Sequence, residues 1–314
     1  MKRKLIIDCD PGHDDVMAIL VAMAHPEAFE ILGYTTVCGN QLVNKVTQNL
    51  CQVLTYLKQE GKVAVGYDAP LFYDPEPQPL AHGESGLDGP VLPTSQIKTL
   101  DIHAIEFMKQ TLETSTTPVT IVALAPLTNI AMLLKTWPHL KEKIECITLM
   151  GGGINQGNIL EKAEFNIYED PHAAKLVFES KVPIIMSGIE VCNDCAICHD
   201  EIDAMKGQGH VSDLCHDILQ FFSQYSRSRN VDWSPLFDVA PIMHLLHPEF
   251  FTSQRYAVTI EVEGRYTRGM TVVDQRQFRD LNAVNTEVLL NCDRDKFIQC
   301  FLEDIQKLDQ IYKA

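Results

Sequence analysis

Short apolar runs alternate with amphipathic segments from residue 4 to residue 187 of this chain. The apolar runs are rich in Val, Ile and Leu and are bounded by Gly, Pro and Asp, which predicts buried strands. In the segments between them, apolar residues recur every three or four positions, which predicts helices with one buried face. The predicted strands are residues 4–8, 30–37, 119–123, 146–150 and 183–187, and the predicted helices are residues 15–24, 42–58, 102–113, 126–134 and 171–179.

This alternation predicts an α/β fold in which a doubly wound, mostly parallel sheet is flanked by helices. Further along, residues 256–262 and 269–273 alternate like a small antiparallel hairpin near the C-terminus, and residues 294–312 form a last amphipathic helix. No repeat or linker pattern appears, so we expect residues 1–314 to form a single domain. Residues 74–94 hold five prolines and the sequence HGESGLDG, which predicts a loop that acts as a lid.

The composition excludes some partners. The net charge of −16 argues against nucleic acid, which needs a basic surface, and against an anionic membrane surface. No apolar run reaches the ~18 residues that a membrane span requires. Since the N-terminus shows no export signal, we expect a cytoplasmic protein whose ten cysteines are reduced. The spacing of Cys192, Cys195 and Cys198 suggests a metal site, but adjacent His199 is an awkward fourth ligand, so packed thiols are favoured.

Four carboxylates cluster directly after the first predicted strand. Asp8, Asp10, Asp14 and Asp15 surround a Pro-Gly turn, and they repel one another unless a positive charge lies among them. Ca²⁺ or Mg²⁺ fits a set of oxygen ligands, with Asp10 and Asp15 as the natural ligands. The alternative is a solvated acidic turn.

Polar loops also follow the later predicted strands, so they share the edge of the sheet where α/β proteins bind ligands. The side chains of Asp14, Asn40, Asn158, Glu164 and Asn166 together offer hydrogen-bond donors and acceptors that match a polyhydroxylated ligand such as a sugar. Each of them taken singly could equally be an ordinary loop or capping residue.

Several motifs carry a family resemblance. DCDPGHDD at residues 8–15, VCGN at 37–40, APLTN at 125–129, MGG at 150–152 and AEFNIY at 163–168 resemble the inosine–uridine nucleoside hydrolase family. HGESGLDGP at residues 82–90 looks most like its bacterial pyrimidine-preferring members. The resemblance extends from residue 5 to residue 274 and includes the last helix.

The resemblance implies hydrolysis of the N-glycosidic bond of ribonucleosides, uridine and cytidine foremost and inosine next, through an oxocarbenium-like ribosyl cation. It implies one Ca²⁺ ion, held by Asp10, Asp15, the Leu124 carbonyl and Asp238, with Asp10 as general base for the metal-bound water. It also implies a homo-oligomer, either a dimer or a tetramer. The implied ribose-binding residues are Asp14, Asn40, Met150, Asn158, Glu164 and Asn166.

The chain departs from the family at the leaving group. Many members have a His before the last calcium Asp, where this chain has Phe237, which cannot donate a proton but can stack on the base. His82 is one candidate donor. Tyr225 and Arg229, four residues apart on one helix face, are others, unless they form a simple surface pair.

Two other functions stay open. One is a calcium-dependent nucleoside or ribose binder without turnover, which Phe237 alone suggests. The other is a phosphatase with an aspartate nucleophile, because Asp8-Cys9-Asp10 after a strand is similar to the DxD motif of such enzymes. That motif normally has Thr or Val two residues after its second Asp, where this chain has Gly12.

Overall fold

A computed structural model describes residues 2–312. The strands are β1 Arg3–Cys9, β2 Phe29–Thr36, β3 Val63–Val65, β4 Val119–Ala123, β5 Ile144–Met150, β6 Ile184–Ser187, β7 Ala196–Cys198, β8 Trp233–Pro235, β9 Phe251–Tyr256, β10 Val258–Ile260, β11 Thr271–Val273 and β12 Thr286–Cys292. The α-helices are α1 His13–Ala24, α2 Val43–Tyr56, α3 Pro79–His82, α4 Ala104–Thr114, α5 Thr128–Thr136, α6 Phe165–Glu169, α7 Pro171–Phe178, α8 Ile189–Asp194, α9 His199–Ala204, α10 His210–Arg227, α11 Val239–Leu246 and α12 Arg294–Ile311. Short 3-10 helices span Pro138–Lys143, Pro248–Phe250 and Leu281–Ala283.

Eight strands form one sheet in the order β3-β2-β1-β4-β5-β6-β12-β9. Neighbouring strands are parallel except β9, which runs antiparallel to β12 at one edge. β1 lies inside the sheet between β2 and β4, and chain order reverses there, which is where open α/β sheets bind ligands.

Side chains of β1 enter two separate cores, one on each face of the sheet. Leu5 and Ile7 belong to a core that α1, α2, α10, α11 and α12 complete, and Ile6 belongs to the core beneath α4, α5 and α7. All three residues are fully buried. Because successive strand residues point to opposite faces, an uninterrupted apolar run is what a sheet covered on both faces requires.

The predicted α/β fold with a mostly parallel sheet is confirmed. Each of the five predicted strands and five predicted helices is present, β4 with the predicted ends and the others with ends shifted by one or two residues, and β10 and β11 form the predicted antiparallel pair. The prediction that residues 74–94 form a loop is wrong for residues 79–82. There the backbone amides of Ala81 and His82 donate to the Gln78 carbonyl and close the helical turn α3. Within residues 2–312, no helix has both the length and the apolar character to cross a membrane.

Candidate active site

The turn between β1 and α1 places the acidic cluster at the carboxyl edge of the sheet. Asp15 closes this turn, because its carboxylate accepts hydrogen bonds from the backbone amides of Asp10 at 3.1 Å and Gly12 at 3.0 Å. A Cβ atom on Gly12 would lie 2.5 Å from Nδ1 of His82 and 2.8 Å from Nδ2 of Asn40. Glycine is therefore required here by the close approach of two other loops.

Asp8 supports the turn from below. Its Oδ1 accepts hydrogen bonds from the Thr35 hydroxyl at 2.6 Å and from Nδ2 of Asn129 at 2.8 Å, while Oδ2 is buried without a partner. Burial raises the pKa of Asp8 to about 7, although these two bonds oppose the shift. Asp8 thus joins the carboxyl ends of β1 and β2 to the first turn of α5, and it does not line the cavity.

Three carboxylates converge beside this turn. Asp14, Asp15 and Asp238 each place an oxygen within 4.8 Å of the others, and all three are buried. Burial and the charges of neighbouring carboxylates raise the pKa of Asp14 to about 8 and that of Asp238 well above its usual range. Burial raises the pKa of Asp15 to about 6, although hydrogen bonds from the Gly12 and Asp10 amides oppose the shift.

Asp10 lies next to these three carboxylates, and burial and the charge of Asp15 raise its pKa well above the usual range. Oδ1 of Asp10 and Oδ1 of Asp14 are buried without a hydrogen-bond partner. No lysine or arginine of the described chain is among the main causes of the pKa shifts of these aspartates. A hard divalent cation fits such a set of buried oxygen donors. The carbonyl of Leu124, another predicted ligand, accepts from Nδ2 of Asn166 at 3.0 Å.

A cavity of about 410 Å³ opens above the carboxylates. Among the predicted site residues, those that line it are Asp14, Asn40, His82, Leu124, Met150, Asn158, Glu164, Asn166, Tyr225, Arg229, Phe237 and Asp238. Asp10 and Asp15 are fully buried and lie behind its wall. The structure therefore brings together residues that are more than two hundred positions apart in the sequence.

One wall of the cavity is polar and is held in place by backbone amides. The Glu164 carboxylate caps α6, accepting from the amides of Gly152, Asn166 and Ile167 at 2.9 to 3.2 Å. Burial raises its pKa to about 7. Oδ1 of Asn158 accepts from the Phe165 amide at 2.9 Å, which leaves its Nδ2 for a ligand.

The opposite wall is aromatic and comes mainly from α10 and the segment after it. The guanidinium of Arg229, two residues beyond the end of α10, lies 3.7 Å from the ring centre of Tyr225. Their role as donors to the base stays a prediction. Phe237 also lines this wall. The sequence did not single out Phe222 and Trp233, since aromatic residues at these positions are equally typical of core packing.

His82 lies where the polar and aromatic walls meet. Its Nδ1 is 3.1 Å from Nδ1 of His13, whose Nε2 is 2.8 Å from the carbonyl oxygen of Asp88. Burial lowers the pKa of His13 to about 4 and lowers that of His82 well below its usual range, so both rings are neutral at neutral pH.

The cysteine spacing does not build a metal site. Cys192, Cys195 and Cys198 are free thiols, and the acidic group around Asp238 is the only metal-compatible cluster within residues 2–312. Cys192 donates weak hydrogen bonds to backbone carbonyls, including that of Phe237 at 3.6 Å. Cys192 and Cys195 are therefore packed core thiols, and the half-buried Cys198 accepts a hydrogen bond from the Arg294 guanidinium at 3.1 Å.

The model of the inosine-uridine preferring nucleoside hydrolase family matches residues 5–299. This chain belongs to that family. The pyrimidine-specific ribonucleoside hydrolase RihA of Salmonella typhimurium strain LT2 is 40% identical over 310 residues, covering 98% of this chain and 99% of the relative. The predicted N-ribohydrolase class is thereby confirmed.

Solved structures of nucleoside hydrolases share the fold. A purine-preferring ribonucleoside hydrolase from Gardnerella vaginalis superposes with a TM-score of 0.91 at 29% identity, covering 98% of this chain and all of that one. The plant nucleoside hydrolase PpNRh1 gives a TM-score of 0.90 at 26% identity, covering 98% and 99%. These two nucleoside hydrolases, one of them purine-preferring, therefore share this scaffold, and the fold alone does not fix the base.

Proposed function

We propose that this chain is a calcium-dependent ribonucleoside hydrolase that acts on uridine and cytidine first and on inosine second. The observation that carries the proposal is the set of buried carboxylates beneath a nucleoside-sized cavity, with unpartnered oxygens on Asp10 and Asp14. The pyrimidine preference is supported by the name of the RihA relatives.

Asp10, Asp15, Asp238 and the Leu124 carbonyl would hold the cation, and Asp14 is close enough to Asp15 and Asp238 to join them. A calcium ion, when bound, offsets the repulsion among the carboxylates and lowers the pKa of a water that it binds. The chain's own residues then have separate tasks. Oδ1 of Asp10 takes a proton from the attacking water while the C1′–N bond breaks and its electron pair leaves with the base.

The polar wall holds the sugar. Asn158 offers Nδ2 and Asn40 offers its carboxamide oxygen to ribose hydroxyls, while Glu164 adds negative charge beside the ring. Positive charge builds on the ribosyl ring in the transition state, and fixed carboxylates close to it stabilise that charge. At the aromatic wall, Tyr225 and Arg229 are the groups that can donate to the departing base.

A substrate panel tests this function. The purified chain, incubated with calcium and uridine, cytidine or inosine, should release free base and ribose. Ribose binding without product from any nucleoside would instead support the binding protein, and release of p-nitrophenol from p-nitrophenyl phosphate without base release would support the phosphatase. The cytoplasmic location, the homo-oligomer and the single domain over residues 1–314 stay predictions that these substrates do not test.

A further inference from the structure

The HGESGLD loop, residues 82–88, folds so that both of its ends contact His13. The Asp88 carboxylate accepts hydrogen bonds from the backbone amides of Glu84 and Ser85, each at 3.1 Å. The Asp88 amide in turn donates to the His82 carbonyl at 3.3 Å. This closed loop presents the His82 ring and the Asp88 carbonyl together to His13.

His13 fixes the direction of both of its hydrogen bonds. Its Nε2 lies 2.8 Å from the Asp88 carbonyl oxygen, and since a carbonyl can only accept, this nitrogen carries the hydrogen. In the neutral ring Nδ1 is then a bare acceptor, and it lies 3.1 Å from Nδ1 of His82. His82 must therefore donate from Nδ1, which leaves its own Nε2 without a hydrogen.

Nε2 of His82 is the atom available to a ligand. The ring lines the cavity, and Nε2 has no protein hydrogen-bond partner within the part of the chain that the structure describes. The Nδ1 and Cε1 atoms of the ring lie against Gly12 and near Nδ2 of Asn40, on the side that we assign to the sugar, and the ring centre is 5.5 Å from that of Phe222 on the aromatic wall. A bare ring nitrogen at this place accepts a hydrogen bond and has no proton to give.

We propose that His13 is a positioning residue that holds His82 in the Nδ1–H tautomer, so that Nε2 of His82 accepts a hydrogen bond from a ribose hydroxyl instead of protonating the departing base. The ribose part of this inference rests on the proposed ribonucleoside hydrolysis, whereas the tautomer does not. Donation to the base then falls to Tyr225 and Arg229.

Nitrogen-15 NMR of the full chain without nucleoside tests the tautomer. We expect long-range proton–nitrogen spectra to show His82 with a protonated Nδ1 and a bare Nε2. His13→Phe keeps a ring against Phe221, whose centroid is 5.2 Å away, but removes both hydrogen bonds, so it should shift His82 toward the Nε2–H tautomer. His13→Gln supplies one acceptor and one donor and should restore the original tautomer.

Two spectral results would overturn the proposal. One is an Nε2–H tautomer of His82 in the unaltered protein, and that spectrum alone decides the matter if His13→Phe does not fold. The other is an unchanged His82 signal in a folded His13→Phe variant.

Kinetics of His82→Phe test the acceptor role. With uridine and with p-nitrophenyl ribofuranoside, whose leaving group departs without a proton, kcat/KM should fall by the same factor, about tenfold for one lost hydrogen bond. A loss with uridine alone would identify His82 as the acid and overturn the proposal. Wild-type protein inactive on every nucleoside would contradict the proposed function, while the spectra would still decide the tautomer.

Discussion

Asn40 holds Asp10 by two hydrogen bonds, from its backbone amide to Oδ2 at 2.6 Å and from its side-chain Nδ2 to the Asp10 carbonyl at 3.3 Å. The two residues follow β1 and β2, which are adjacent parallel strands. Because Oδ2 is occupied, Oδ1 is the oxygen of Asp10 that stays without a partner. The loop after β2 therefore orients the carboxylate that we assign as the general base.

Replacing Asp10 tests this assignment. Asp10→Ala removes both the base and a cation ligand, so kcat for uridine should fall at least about a hundredfold. Release of uracil, followed by absorbance, measures the effect. Asp101→Ala, which removes an exposed carboxylate outside the cavity, is the matched control and should keep full activity. Activity of Asp10→Ala above about a hundredth of wild type would count against the role.

Gly39 leaves room for the same carboxylate. A Cβ atom at this position would overlap Oδ2 of Asp10 and lie 2.8 Å from Cδ of Pro126. Gly39→Ala should therefore displace the carboxylate and reduce kcat by about tenfold or more, with an unchanged circular dichroism spectrum. Gly61→Ala, a glycine replacement away from the cavity, should leave kcat unchanged. Equal activity of the two variants would show that the Asp10 geometry does not limit turnover.

Phe237 offers a test of base preference. Phe237→His places a proton donor at the aromatic wall, so inosine turnover should rise relative to uridine by about tenfold in the ratio of kcat/KM values. Measuring both substrates on one preparation corrects for any loss of folded protein. An unchanged ratio would show that residue 237 does not face the base.

A histidine outside the site gives the fold a pH dependence. Nε2 of His25, the residue that follows α1, lies 2.7 Å from Oδ1 of Asp304 in α12, and this bond raises the pKa of His25 above its ordinary 6.5, although burial opposes the shift. Glu27, bonded to the other ring nitrogen, adds to the rise, and Lys307 opposes it. The stabilisation is complete below pH 6.5 and is lost as pH rises through the folded-state pKa.

Urea unfolding between pH 6 and pH 9 measures this effect. Wild-type stability should fall across the window by an amount that His25→Gln abolishes. His247→Gln, which removes a histidine paired with Glu249 at the surface, is the control and should keep the wild-type slope. The same slope for His25→Gln as for wild type would show that the ion pair does not link α1 to α12.

The sequence predicted the buried interior of the sheet better than its edges. β1, β4 and β5 are buried over five or more consecutive residues, most of them apolar, because both of their faces are covered, and such runs are visible in the sequence. β3 has only three residues, and the antiparallel β9 has four exposed positions in a row, so neither carries a strong pattern. These strands are fixed by pairing with a neighbour, which the local sequence does not encode.

At the site, the motifs and charges of the sequence were sufficient to predict the residues of the polar wall. Each residue predicted there lines the cavity. The partnership of His13 with His82 was not predicted, because it depends on how a loop 69 positions away closes onto α1. Asp14 was assigned to the sugar, yet its oxygen also lies with those of Asp15 and Asp238. Sequence identifies such groups, whereas their distances come only from the fold.

The central claim is calcium-dependent cleavage of a ribonucleoside, and the most direct measurement is uracil release from uridine after treatment with EGTA. We expect no release in EGTA, recovery when calcium is added in excess, and no recovery with zinc. Asp238→Ala, which lacks one carboxylate of the acidic group, should need far more calcium for any recovery. Full activity in EGTA, or no base from uridine, cytidine or inosine with calcium present, would contradict the claim.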